Sequence, residues 1–224
     1  MAFGGWDRSL GQGPHLAGLQ GTLSVVDIIV LAAGSGTRFG DTKQFRELSP
    51  GVRLIDAAVG TASSLPGRTI LVLPPGFVWD GREVDATVVG GSSRVDSVAS
   101  GLTALSDESE VVVVHDAAHP LAPRKVFEEV IKAVLKGADA AVPMLPLGDV
   151  VKRRDQRGQL VTLGRDGLGL AQVPMAFSTD ALLAAHSAGP SRDGPVWDDS
   201  VLVELNEGRV VAVEGSSKNI HVVT

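Results

Sequence analysis

The stretch Val26-Asp-Ile-Ile-Val-Leu-Ala-Ala-Gly-Ser-Gly-Thr-Arg-Phe-Gly40 decides the fold. A short apolar run that ends in glycines and small residues is the pattern of a buried parallel strand entering a tight turn. Such a strand needs helices on both of its faces. The rhythm repeats outward along the chain. Thr69–Pro74, Ala86–Gly91, Glu110–His115 and Ala138–Pro143 read as further strands. Between them, Leu54–Ala62 reads as a helix, and Ser93–Leu105 as another with Val95, Val98, Ala99 and Leu102 on one face. A third helix starts at Pro123, carries Val126, Val130, Ile131 and Val134 at helical spacing, and stops at Gly137. Strands alternating with helices predict an α/β, Rossmann-like fold: a mostly parallel sheet with helices on both faces.

Two segments break the rhythm. Residues 1–25 are glycine-rich without a period and read as an N-terminal extension, which leaves 26–224 as the single folded domain. Within 147–176, Val150–Thr162 reads as two β segments around an Asp-Gln-Arg-Gly turn. A hairpin projecting from the sheet must cover its apolar side, so this one is expected to be an arm through which the chain forms a homodimer.

Composition narrows the function. The 224 residues carry a net charge of −6, a poor match to nucleic acid, whose binding needs clustered Lys and Arg. A small anionic substrate needs only a local basic pocket. There is no cysteine, which excludes disulfides, thiolate metal sites and cysteine nucleophiles. No apolar run reaches the roughly 18–20 residues of a membrane helix, and the first residues lack a signal-peptide pattern, so a cytoplasmic protein without a membrane partner is expected.

The chemistry begins at the glycine turn. Its glycines let backbone N–H groups approach phosphate. The spacing fits neither G-x-G-x-x-G, since Phe39 stands where the third glycine is needed, nor G-x-x-x-x-G-K-[ST]. Arg38 and Lys43 follow directly, two cations able to neutralise a triphosphate and its transition state.

Three motifs in order carry a resemblance. The first is L-A-A-G-S-G-x-R-F-G-x-x-K-Q-F from Leu31, followed by Gly90-Gly-Ser-Ser-Arg-Val-Asp-Ser97 and Val114-His-Asp-Ala-Ala-His-Pro120. Together they resemble the 2-C-methyl-D-erythritol 4-phosphate cytidylyltransferase family of sugar-phosphate nucleotidyltransferases. The resemblance implies that CMP is transferred from CTP to a polyol phosphate with release of pyrophosphate. It implies that the backbone of Leu31, Ala32, Ala33, Gly34, Ser35 and Gly36 cradles the CTP phosphates, and that Gly91 and Ser97 contact cytosine and ribose. Arg38 and Lys43 become the catalytic cations, and Asp116 the ligand of Mg²⁺. On the acceptor side it points to His119, Asp149, Thr162 and His221.

That acceptor side departs from the family pattern. His119 and His221 stand where the family has arginine and lysine, Val150 replaces a threonine, and Gln172-Val-Pro-Met175 replaces Q-T-P-Q. Two permanent cations become imidazoles. The family also continues into a C-terminal helix beyond the position of Thr224, where the sequence in hand ends, so either a truncated sequence or a divergent protein is expected. Another polyol phosphate such as ribitol 5-phosphate, or a catalytically impaired nucleotide-binding homologue, are therefore the alternatives. Trp197-Asp-Asp-Ser200 reads as a helix start capped by Asp198 or Asp199, and His15 and His186 read as surface histidines.

Overall fold

The structure is a computed structural model and describes residues 26–34, 43–189 and 196–222. In chain order its elements are β1 (Val26–Leu31), β2 (Glu47–Ser49), β3 (Val52–Arg53), α1 (Leu54–Ala62), β4 (Arg68–Leu73) and β5 (Ala86–Val89). Next come α2 (Arg94–Leu102), β6 (Val111–Asp116), α3 (Arg124–Leu135), β7 (Ala140–Pro146), β8 (Val151–Arg154) and β9 (Leu160–Leu163). The last are β10 (Gly169–Ala171), β11 (Met175–Ser178), α4 (Thr179–Ala188), α5 (Asp199–Leu205) and β12 (Val210–Glu214).

The central sheet is mostly parallel, as the alternation predicts. β1 lies between β6 and β4, and β5 continues beyond β4, all parallel. β12 runs parallel to β7. One line runs the other way: β11 pairs antiparallel with both β6 and β7, and β10 continues along β7 after a break at residues 172–174. Nothing in the residue pattern cues this reversal, because a short apolar run such as Met175–Ser178 carries no direction.

Period-two alternation divides the buried strand residues between two layers. Ile28, Val30, Val111 and Val113 pack with α1 and α3 through Ile55, Val59, Phe127 and Val130. Ile29, Val112 and Val114 pack with α2, α4 and α5 through Val98, Leu182 and Leu202. The helix expected over Ser93–Leu105 ends at Leu102, and Ala99 is exposed rather than on the packing face. Gly101 takes the contact instead, because a Cβ there would stand 2.8 Å from Ile29 Cγ2.

β8 and β9 form a two-stranded antiparallel sheet separate from the main one, with Asp155 and Gln159 closing the turn. The hairpin occupies Val151–Leu163, and the chain is back in the main sheet by Gly169. Among the described residues no helix is long and apolar enough to cross a membrane.

Candidate active site

The parallel strands deliver their carboxyl ends to one edge, where open α/β sheets bind ligands. β1 ends in Leu31 and continues through Ala32, Ala33 and Gly34. Ala32 donates its N–H to Val72 O at 2.8 Å. The Gln44 amide, almost fully buried, donates to Ala32 O at 2.7 Å and to Gly34 O at 3.0 Å. It thus holds the start of the glycine turn from inside. The sequence signal for Gln44 was its place directly after Lys43. Ser35, Gly36 and Arg38 lie outside the described residues.

The end of β5 meets the same turn. A Cβ on Gly90 would stand 2.2 Å from Ala33 Cβ and 2.9 Å from Ser97 Oγ, and one on Gly91 would stand 2.2 Å from Asp96 Cβ. Close approach therefore requires both glycines. Helix α2 opens with a capping box: Asp96 N–H donates to Ser93 Oγ at 3.1 Å, and Ser93 N–H to Asp96 Oδ2 at 3.0 Å. The Ser92 hydroxyl, and then Ser93, hold the Asp96 carboxyl below its usual range. Ser97 is buried and donates to Ser93 O at 2.9 Å.

Asp116 closes β6 opposite Leu31. Its carboxylate lies 3.5 Å from the Arg94 guanidinium, which also pairs with Asp199. Asp199 is fully buried and accepts from His186 Nε2 at 3.0 Å. Burial pushes the Asp199 carboxyl up, but the His186 hydrogen bond and the Arg94 charge more than reverse this and hold it below the ordinary value. Burial likewise opposes the charge on Arg94, yet Asp116 and Asp199 keep its pKa above normal. One expectation is corrected here. His186 is a buried partner of Asp199, not a surface histidine, because its ring meets Asp199 Oδ1 while Arg94 holds Oδ2 of the same interior carboxylate. Of the two aspartates, Asp198 is the cap, accepting from Ser200 N at 2.9 Å. Arg94 was legible only as the arginine of its motif, without a role.

The acceptor-side residues separate into two groups. His119 and His221 meet face to face, with centroids 4.5 Å apart and planes 13° from parallel. The segment after β12 carries His221 there. Gln172 fastens it, donating to Ser216 O at 3.0 Å and Asn219 O at 3.2 Å while accepting from Ser216 N at 2.9 Å. Asn219 Nδ2 donates to Val173 O at 2.5 Å, and Asn219 Oδ1 faces His119 Nδ1 at 3.0 Å. Lys43 Nζ donates to Val222 O at 2.9 Å, and Val222 N–H donates to Ala118 O at 2.8 Å. The glycine-turn cation, the β6 end and the C-terminal segment are thereby drawn together. Burial, with the Lys43 charge, lowers the His119 pKa against the opposing pull of Asn219 and Asp116. Asp149 and Thr162 stand apart, exposed in the hairpin segment, where Thr162 Oγ1 accepts from Lys152 Nζ at 2.5 Å.

This edge offers backbone donors and fixed charge at a strand end, the equipment for displacement at phosphorus, and the chain is a nucleotidyltransferase. Residues 26–224 match the model of the family described as IspD: 2-C-methyl-D-erythritol 4-phosphate cytidylyltransferase. The chain is 32% identical over 209 residues to the enzyme of that name from Carboxydothermus hydrogenoformans, covering 88% of this chain and 89% of the relative. It is 38% identical over 202 residues to that of Frankia casuarinae, covering 86% and 74%. The crystal structure of the cytidylyltransferase from Thermus thermophilus superposes with a TM-score of 0.75 at 28% identity, covering 88% of this chain and 92% of that one. The chain belongs to the 2-C-methyl-D-erythritol 4-phosphate cytidylyltransferase family.

Proposed function

We propose that this chain transfers CMP from CTP to 2-C-methyl-D-erythritol 4-phosphate and releases pyrophosphate, a step in isoprenoid precursor synthesis. The observation that carries the reading is the meeting of Lys43, the β6 end at Asp116 and the glycine turn on one strand edge. The acceptor's phosphate oxygen attacks the α-phosphorus in line, the bond to the β-phosphate oxygen breaks, and pyrophosphate leaves. Such a transfer depends on positioning and charge stabilisation more than on a base. The backbone turn that begins at Leu31 and runs to Gly36 cradles the phosphates, Arg38 and Lys43 stabilise the charge, and Gly91 and Ser97 face the nucleoside.

Asp116 fits Mg²⁺, since its carboxylate is a hard oxygen donor, half-exposed at a strand end. Among the described residues no three potential ligands gather, so the nucleotide's phosphates and water would complete the shell. Bound there, the ion would neutralise phosphate charge.

A second reading, transfer to another polyol phosphate such as ribitol 5-phosphate, is favoured by the stacked His119–His221 pair where the family pattern has two cations. We further propose a cytoplasmic homodimer, where CTP is available. Val150, Leu160, Val161, Leu168 and Leu170 are 44–66% exposed on and beside the hairpin, apolar surface that a second copy would cover. The test is pyrophosphate release with CTP, Mg²⁺ and a panel of polyol phosphates. Release with 2-C-methyl-D-erythritol 4-phosphate supports the first reading, and release only with another member selects the second. CTP binding without release from any acceptor would refute both and leave an impaired homologue.

A further inference from the structure

The hydrogen-bond chain behind His119 fixes which of its ring nitrogens carries the proton. Val173 O is a carbonyl and can only accept, so Asn219 must turn Nδ2 toward it, as it does at 2.5 Å. Gln172 holds Asn219 from the other side with an orientation that is itself determined. Ser216 N–H donates to Gln172 Oε1, so Nε2 is the atom that reaches Asn219 O. Asn219 therefore presents Oδ1, an acceptor, to His119 Nδ1 at 3.0 Å, and that contact is a hydrogen bond only if Nδ1 bears the hydrogen. In the neutral ring Nε2 is then a lone pair. It makes no hydrogen bond among the described residues. The sealed, unpartnered side-chain nitrogens among them are both on His115, so His119 Nε2 keeps a path to solvent. His221 covers one face of the ring, leaving the edge for approach.

We infer that His119 is a specificity-determining residue whose Nε2 accepts a hydrogen bond from a hydroxyl of the acceptor, in place of the permanently charged donor that the arginine of the family pattern would supply. The inference rests on reading the site as that of a polyol-phosphate cytidylyltransferase. A phosphate dianion brings only lone pairs, which a lone pair repels. A polyol hydroxyl brings a hydrogen.

The full chain labelled with ¹⁵N-histidine tests this by long-range proton–nitrogen correlation at pH 7.5. The expected spectrum has His119 as the Nδ1–H tautomer. Its Nε2 resonance moves on addition of 2-C-methyl-D-erythritol 4-phosphate and stays in place with inorganic phosphate alone. An Nε2–H tautomer, an imidazolium, or an equal shift with inorganic phosphate would overturn the inference. In kinetics, His119→Phe keeps a ring beneath His221 and removes both nitrogens. The acceptor KM should rise about two- to tenfold, the worth of one neutral hydrogen bond, with the CTP KM unchanged. An unchanged acceptor KM would count equally against it. Absence of turnover with every polyol phosphate would refute the cytidylyltransferase reading instead, while the tautomer is read without turnover, so the two failures are distinguishable.

Discussion

Lowering the pH from 7 to 5 should remove about 2 kcal/mol of stability through His115 alone. This side chain is fully buried in β6, edge-on to Phe127 with centroids 4.9 Å apart, and neither nitrogen makes a well-formed hydrogen bond among the described residues. Burial pushes its pKa down to about 4 from an ordinary 6.5, although the Asp116 charge and the nearby His119 backbone pull it part of the way back up. Because the folded value is the lower one, the unfolded chain takes up the proton first. The stability carried by the neutral ring is full above about pH 6.5 and is lost as the pH falls toward 4. With a tenfold difference in proton affinity worth about 1.4 kcal/mol, one proton and these two values give the loss of about 2 kcal/mol by pH 5, and about 3 kcal/mol by pH 4. His119, also lowered by burial, adds in the same direction. The assay is urea unfolding of the wild type and of His115→Leu at pH 7 and pH 5. Leucine fills a similar volume, has no nitrogen to leave unpaired and does not titrate. Contributions from carboxylates and from His119 are common to both proteins and cancel in the difference. The variant should lose about 2 kcal/mol less than the wild type over this interval. Equal losses would show that the ring is protonated in the fold, or hydrogen-bonded, and would refute the reasoning.

Three other perturbations separate the parts of the site. Lys43→Ala removes a cation from the glycine-turn side and should lower kcat by on the order of 100-fold or more in steady-state assays; unchanged turnover would remove Lys43 from the chemistry. Asp199→Asn leaves Arg94 and His186 without their shared buried carboxylate and should cost about 3–5 kcal/mol in chemical denaturation, whereas a loss below about 1 kcal/mol would mean that the pair does not hold this region together. Gly90→Ala forces a methyl to within 2.2 Å of Ala33 Cβ. It should cost about 1–3 kcal/mol and raise the CTP KM, and a wild-type CTP KM would place the nucleotide elsewhere.

The layers of the fold were legible because their signals are local. Val26–Leu31 and Val111–Asp116 are too apolar to sit anywhere but inside a sheet, and Val126, Val130, Ile131 and Val134 mark the buried stripe of α3. The reversed β11 was not legible, since direction is set by which neighbours a strand finds and not by its own residues. The nucleotide side could be read from glycines whose spacing matters. Gly90 and Gly91 sit where a Cβ has no room. The rest of the site depends on contacts far apart in the chain. His119 and Asn219 are 100 residues apart, and Arg94 and Asp199 are 105 apart. No local pattern distinguishes the buried Asp199 from its neighbour Asp198, which caps α5. His186 looked like a surface residue for the same reason. What makes it interior is a partner on another helix.

The most direct measurement follows the α-phosphorus itself. CTP carrying ³²P at the α position is incubated with the protein, Mg²⁺ and 2-C-methyl-D-erythritol 4-phosphate, and the products are separated. In-line transfer of CMP predicts that the label moves into the cytidine diphosphate-linked polyol, while label supplied at the γ position is recovered as pyrophosphate. Recovery of the α label only in CTP, or in free CMP from hydrolysis, would contradict the account.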